Sequence, residues 1–296
     1  MVAIENSKIK IDLANCTKCG ECLKDCVANL FYFDQGLLRI VDSFEDYCIE
    51  CGHCEAVCPV NVIQLMFHKE GELEQSPVME EVLTYNTFLN LVLKRRSIRR
   101  FKEKSVPREL IEKLLRVGKY SPTGSNSENV FYSVVQDKSI VAAISKHIND
   151  KMTRFVKALE DPKGRLHLKN SKSEEEFNQA VEDLPKTRRI LERAEQGIDF
   201  WCWNGELIII HGDKTIGGVP SNSALAAAHI MLAAETLELG TCSLGYLTYF
   251  INGSQTIREL IKIPENHIVG YSLTIGYPDV KYRRIPARKP SKVQWF

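Results

Sequence analysis

Lys8-Ile9-Lys10-Ile11-Asp12-Leu13 alternates polar and apolar side chains, the period of two that sets one face of a strand on a core and the other in water. Leu30-Phe31-Tyr32-Phe33 and Leu38-Arg39-Ile40-Val41 flank Asp34-Gln35-Gly36, which predicts a short hairpin. The pattern breaks from Phe67 to Tyr85, where Lys69-Glu70-Gly71-Glu72 and Glu80-Glu81 are charged and Ser76-Pro77 lies between them. This stretch reads as a linker with a boundary at Pro77, giving domains 1–76 and 77–296.

Beyond it Thr87 is the expected N-cap of an apolar helix through Phe88, Leu91 and Val92. A second helix is predicted from Ser105 as N-cap, with Pro107 in its first turn, Leu110, Ile111, Leu114 and Leu115 on one face, and a stop before Ser121-Pro122. Val130 to Val135 and Leu207 to Ile210 read as strands, and so does Ile268 to Ile275. Ile140 to Ile148, Ser221 to Glu238 (closed by Gly240) and Gln255 to Ile263 read as helices. Lys151 to Arg193 is highly charged and is expected to be helical, solvated and mobile, within an insertion spanning 151–205. Helices and strands mix without regular βαβ alternation, so the expected fold class is α+β.

Composition narrows the function. With 44% hydrophobic and 26% charged residues and a net charge of +1, the chain has the make-up of a globular protein without strong attraction to nucleic acid or acidic membranes. No apolar run reaches the length of a membrane span. Met1 to Asn6 lacks signal-peptide character, so a cytoplasmic, reducing environment is expected.

Eight of the ten cysteines fall between Cys16 and Cys58. Cys16, Cys19, Cys22 and Cys26 have the spacing C-x2-C-x2-C-x3-C, repeated by Cys48, Cys51, Cys54 and Cys58 at an offset of 32 residues (48 − 16, 58 − 26). This spacing suits iron-sulfur ligation. A zinc module needs only four ligands per tetrahedral site and no third cysteine at the same short interval, and a disulfide framework does not suit a reducing compartment. Cys202 and Cys242 lack metal spacing and read as small buried hydrophobes.

The two runs resemble those of bacterial two-cluster ferredoxins over roughly residues 1 to 66. The resemblance implies one 4Fe-4S cluster on Cys16, Cys19, Cys22 and Cys58 and a second on Cys48, Cys51, Cys54 and Cys26, the fourth ligand crossing over in each. Pro59 follows the last cysteine as in that family, whereas Val27 stands where a second Pro is usual. His53, between two ligands, reads as solvent-facing.

The second domain has no Walker sequence and no G-x-G-x-x-G after a strand. It does have Arg95-Arg96-Ser97-Ile98-Arg99, whose guanidinium forks and hydroxyl match phosphate oxygens. Alone, such a run at a helix end usually complements the helix dipole and faces water. Together with Ser121-Pro122-Thr123-Gly124-Ser125-Asn126, Gly240-Thr241-Cys242-Ser243-Leu244-Gly245 and a basic C-terminal tail, it resembles the nitroreductase family of FMN-dependent oxidoreductases over roughly residues 86 to 296. The resemblance implies a nitroreductase-like α+β domain in an intertwined homodimer with FMN at the interface. Arg95, Ser97 and Arg99 would contact the FMN phosphate, ribityl chain and pyrimidine edge, with Arg96 beside them. Asn126 would hydrogen-bond the isoalloxazine ring, Leu244 and Gly245 would lie by its N5, and Arg284 and Arg288 would close over the phosphate. Ser127-Glu128-Asn129-Val130 departs from the family's usual continuation, and Trp201, Trp203 and Tyr249 read as core aromatics.

These features make the chain an expected redox enzyme with its own electron feed. A low-potential donor such as ferredoxin would load two 4Fe-4S clusters, and FMN would pass electron pairs to a nitroaromatic, quinone or enone. The alternatives are an NAD(P)H-dependent nitroreductase with structural or regulatory clusters, and a non-catalytic electron carrier or redox sensor.

Overall fold

The computed structural model describes residues 3–67 and 83–296. The expected boundary at Pro77 lies outside the described residues. The chain divides into two compact units, Met1–Leu83 together with Ser125–Ser127, and Thr84–Gly124 together with Glu128–Phe296.

In the first unit β1 (Ala3–Glu5), β2 (Ile9–Asp12) and β5 (Ile63–Leu65) form an antiparallel sheet in the order β1-β2-β5. The alternation along β2 works as its period dictates: Ile9 and Ile11 are wholly buried and Lys10 and Asp12 exposed. β3 (Phe31–Asp34) and β4 (Leu37–Ile40) form the expected hairpin. Three short helices, α1 (Glu21–Asp25), α2 (Phe44–Tyr47) and α3 (His53–Ala56), accompany these strands among the described residues. Phe44 meets Phe31 edge-on at 5.7 Å in the core. The buried Glu55 of α3 accepts a hydrogen bond from Leu65 N at 3.2 Å, tying that helix to β5.

The sequence repeat is also a backbone repeat. Lys18 and Glu50, Gly20 and Gly52, and Asn29 and Asn61 all have positive φ, and each pair is separated by the cysteine offset. Left-handed backbone recurring at three matched positions gives the two halves the same turns around their cysteines.

In the second unit β6 (Phe131–Val135), β7 (Glu206–Asp213), β9 (His267–Gly276) and β8 (Gly240–Ser243) form an antiparallel sheet in the order β6-β7-β9-β8. Leu207 to Ile210 is apolar without alternation because both faces of β7 are covered. Leu207 and Ile209 pack with Ile144 and Ile148 of α6 (Lys138–Glu160) and Leu247 and Ile251 of α11 (Gly245–Asn252). Ile208 and Ile210 pack with Ile111 and Leu114 of α5 (Arg108–Lys119) and Ala226, Ala227 and Ile230 of α10 (Val219–Thr236). α4 (Tyr85–Lys94) precedes these elements and α12 (Gln255–Leu260) follows α11. The charged stretch forms the second half of α6 and then α7 (Pro162–Ser171), α8 (Glu174–Glu182) and α9 (Leu184–Glu195).

Several local expectations need correction. The N-cap of α4 is Thr84, whose Oγ1 accepts from Thr87 N at 3.3 Å. Ser105 caps nothing, because its hydroxyl donates to Glu206 Oε1 at 2.6 Å and Pro107 stands at the N-cap. Gly240 does not close α10: Glu238 takes the left-handed conformation there and Gly240 begins β8. Tyr249 is 73% exposed and is no core aromatic, whereas Trp201 is buried and donates its indole N–H to Asn149 Oδ1 at 2.6 Å.

Candidate functional site

In the first unit Gly20 and Gly52, with φ of 76° and 78°, turn the chain from the second cysteine of each run into α1 and α3, which carry the third cysteine, Cys22 or Cys54, inward. Two pockets result. One is lined by Cys16, Cys19, Cys22 and Cys58 with Phe33, Leu38, Val62 and Ile63 as apolar wall. The other is lined by Cys26, Cys48, Cys51 and Cys54 with Leu30, Phe31, Phe44 and Leu65. Each pocket thus takes three cysteines from one run and the fourth from the other.

Burial first, and then the neighbouring thiols of the same pocket, push the Cys22 thiol up to about 11 and Cys54 to about 12, Cys26 among those neighbours for Cys54. Four thiols in one pocket do not ionise together unless a cationic group lies among them, so the donor set suits a metal cluster. Among the described residues no three His, Cys, Asp or Glu side chains are drawn together as a single-ion site. His53 is exposed, with Nδ1 3.3 Å from Asp25. Val27 is 72% exposed, so the missing proline leaves a surface turn.

In the second unit α4 ends at Lys94 and Arg95 leaves the helix in an extended conformation. The chain then runs beside β8. Ser97 bridges Thr241 in parallel, and Ile98 N donates to Thr241 O at 2.9 Å. Ile98 is buried, while Arg95, Arg96 and Ser97 are half-buried and Arg99 is exposed. Lys94 Nζ lies 3.9 Å from Glu235; burial raises the Glu235 carboxyl, and Lys94, Arg95 and Arg96 pull it back. Burial likewise raises the Cys242 thiol, opposed by Arg99 and Ser97. The Arg99 guanidinium lies 5.7 Å from the centre of the Trp203 ring. Thr241 Oγ1 is buried without a hydrogen-bond partner.

β8 leads directly into α11. Leu244 N donates to Ser272 O at 2.9 Å, so that amide is already engaged. Gly245 is exposed, and a Cβ built on it would meet nothing within 4 Å. The amides open at this helix start therefore begin with that of Gly245. Asn126 ends a turn in which Ser125 and Asn126 both have φ of 52°, and Gly124 N donates to Asn222 Oδ1 at 3.1 Å. Arg284 and Arg288 are exposed in the irregular segment after β9. β8 thus draws the arginine run and the start of α11 to one sheet edge; the side chains of Arg284 and Arg288 make no hydrogen bond or ion pair with them among the described residues, and Asn126 belongs to the first unit, where its Nδ2 donates to Ile49 O and Glu50 O at 3.2 Å.

A buried pair escaped the sequence reading. His211 and His267 meet Nδ1 to Nδ1 at 2.8 Å, with Ser133 Oγ 3.1 Å from His211 Nε2. The bulge between Ile210 and His211 on β7 offsets the register that brings them together.

The second unit is thus an antiparallel sheet between two helical layers with a basic run at one sheet edge, and the first unit carries two four-cysteine pockets. Comparison with known proteins agrees. The model of the nitroreductase family matches residues 92–277 and that of the 4Fe-4S dicluster domain matches residues 10–63; the chain belongs to the nitroreductase family and carries a dicluster ferredoxin-type domain ahead of it. It is 23% identical over 221 residues, 73% of this chain and 85% of the relative, to a Methanothermobacter thermautotrophicus protein with the provisional name NADH dehydrogenase/NAD(P)H nitroreductase. It is 23% identical over 190 residues, 64% of this chain and 88% of the relative, to the iodotyrosine deiodinase of Thermotoga neapolitana. The FMN-bound nitroreductase of Bacteroides fragilis shares the fold at TM-score 0.51 and 17% identity, over 70% of this chain and 98% of that one.

Proposed function

We propose that this chain is an iron-sulfur flavoprotein in which electrons from a low-potential donor such as reduced ferredoxin pass through two 4Fe-4S clusters to FMN and on to a nitroaromatic, quinone or enone. The observation that carries this reading is the pair of four-cysteine pockets with interchanged fourth ligands, in a chain whose larger part belongs to an oxidoreductase family. Cys16, Cys19, Cys22 and Cys58 would hold one cluster and Cys48, Cys51, Cys54 and Cys26 the other. FMN converts between single electrons and a hydride equivalent, which joins one-electron donors to two-electron acceptors.

The chain's own residues then have definite tasks. Arg95, Arg96, Ser97 and Arg99 supply cationic and hydroxyl donors for a phosphate and the polar edge of a flavin. They are held on a fixed segment by the Ser97 and Ile98 contacts to Thr241. Gly245 presents an open amide and no side chain, leaving room for a planar ring against the start of α11. Leu244 beside it is buried. Arg284 and Arg288 stand in the tail that closes over the phosphate of the homodimer.

Stopped-flow reduction of anaerobic holoprotein tests the electron path. Reduced ferredoxin is expected to bleach the cluster absorption first and the flavin bands after it. Rapid flavin reduction by NADPH with none by ferredoxin would sink this path. That outcome would support the second reading, an NAD(P)H-dependent nitroreductase with structural or regulatory clusters, which the name of the Methanothermobacter relative favours.

A further inference from the structure

A cavity of about 400 Å³ opens between α8, α9 and the segment that follows α9, within the size range of small-ligand sites. Its floor is apolar, from Ile190, Ile198 and Phe200, and its wall carries Lys186, Arg189 and Arg193. The three cations stand at i, i+3 and i+7 on α9, one stripe of the helix. Glu182 is the one acidic residue on the wall. The neighbouring Arg188 is engaged elsewhere, by Glu160 at 2.8 Å. The side chains of Arg189 and Arg193 form no hydrogen bond or ion pair among the described residues.

Phe200 links the lining of this cavity to the edge described above. Phe200 lies 5.9 Å from Tyr246 and 5.4 Å from Trp203, ring centre to ring centre. Tyr246 follows Gly245, and its hydroxyl accepts from Lys186 Nζ at 2.8 Å. Trp203 lies under Arg99. Aromatic faces therefore lead from the open amide and the arginine run into a chamber whose far wall is cationic.

We propose that this cavity is the acceptor subsite and that it selects planar aromatic acceptors bearing a carboxylate, the ring seated on Phe200 and Tyr246 and the anionic group facing Arg189 and Arg193. An apolar floor that carries the Phe200 ring, with Tyr246 tilted 50° against it, favours an aromatic ring packed face or edge on. Two guanidinium groups without protein partners favour a carboxylate, whose two oxygens match their fork. The charged helices of the insertion thereby gain a role, supplying substrate choice to a fold whose sheet supplies the flavin edge. This proposal rests on the oxidoreductase reading given above.

The test uses flavin-loaded, full-length holoenzyme reduced anaerobically with dithionite and then mixed with 4-nitrobenzoate or its neutral methyl ester. In either case the nitro group takes two electrons from the reduced enzyme and two protons from water, leaving the nitroso product and one water. Wild type is expected to favour the acid over the ester in kcat/KM, through KM, by roughly three- to thirty-fold, as two exposed charge pairs allow. The preference should shrink with added salt. Arg189→Gln/Arg193→Gln should bring the ratio of acid to ester near one, and Arg189→Glu/Arg193→Glu should invert it. Taking the ratio of ratios between variant and wild type cancels the difference in reduction potential between the two acceptors. A ratio that both double variants keep at the wild-type value, with flavin content unchanged and both acceptors reduced, would overturn the subsite while leaving the oxidoreductase reading standing. Reduced enzyme that neither acceptor reoxidises would overturn that reading, and the subsite with it.

Discussion

Gly240→Ala tests whether the arginine run is held in place by close backbone packing. A Cβ at this position would stand 2.5 Å from Ile98 Cγ1 and 2.9 Å from both Ile98 Cβ and Pro278 Cγ. Ile98 is 4% exposed and branched at Cβ, so it cannot swing clear. The segment carrying Arg95, Ser97 and Arg99 must itself move off β8, straining the Ile98 to Thr241 hydrogen bond. Overpacking of this kind costs about 1 to 3 kcal/mol, which for a unit of this size lowers Tm by roughly 3 to 9 °C. The sign is informative, because Gly→Ala at an uncrowded position with ordinary φ stabilises by about 0.4 to 1 kcal/mol. Gly217 is such a position, with nothing within 4 Å of the added Cβ, and Gly217→Ala is the control. Thermal unfolding and FMN titration of the two variants should diverge, with Gly240→Ala losing roughly ten-fold in FMN affinity for each 1.4 kcal/mol that falls on the bound state. If Gly240→Ala matched Gly217→Ala in both Tm and Kd, the close contact with Ile98 would not be what fixes the run.

Cys58→Ala should remove roughly half of the iron and leave the cluster on Cys26, Cys48, Cys51 and Cys54 visible by low-temperature EPR; loss of that cluster with retention of the one on Cys16, Cys19 and Cys22 would contradict the crossed ligation. Arg95→Ala should delete a charge-assisted contact of about 1.5 to 3 kcal/mol, a ten- to hundred-fold rise in the Kd for FMN, and a Kd equal to wild type would return the run to a solvated helix end. Burial, then the neighbouring His267 and Arg258, lower His211 to about 4 from an ordinary 6.5. The unfolded chain therefore binds the extra proton first, so this contribution is complete above pH 6.5 and is lost as pH falls toward 4, at most about 3 kcal/mol. Urea unfolding at stepped pH should show a shallower slope in that window for His211→Gln than for wild type, and parallel curves would remove His211 as the cause.

Much of this was legible because the signals were local. Lys8 to Leu13 alternates, and of its apolar members Ile9 and Ile11 are wholly buried and Leu13 partly so. Cysteine spacing alone suggested clusters, and likeness to ferredoxins supplied the crossed pairing that the two pockets display. What stayed hidden depends on distant partners. Nothing near Ser105 shows that its hydroxyl goes to Glu206, 101 residues away. Thr84 and Thr87 are both competent caps three residues apart, and their neighbourhood does not choose between them. Gly240 has the look of a helix stop, yet it is needed in β8 because Ile98 packs against its bare backbone. His211 and His267 lie 56 residues apart and meet only through the offset of β7 on β9. The cavity of α9 could not be read either, since Lys186, Arg189 and Arg193 look like any solvated helical face until Phe200 and Ile198 fold beneath them.

The duplication has an energetic consequence for the first unit. If each cysteine run held its own cluster, either half could form alone, and the repeat would be two small modules in series. Here Cys26 belongs to the pocket of the second run and Cys58 to that of the first, so closing either pocket requires both runs to be folded. The apolar walls are shared in the same sense: Phe33 and Leu38 from the hairpin and Val62 and Ile63 from the end of the second run line one pocket, and Phe31 from that hairpin and Phe44 line the other. A unit of this size buries little apolar surface of its own, and metal that binds only the closed pockets would add its binding free energy to the folded unit. Because each pocket draws on both runs, a cluster held in either one would favour the fold of both halves.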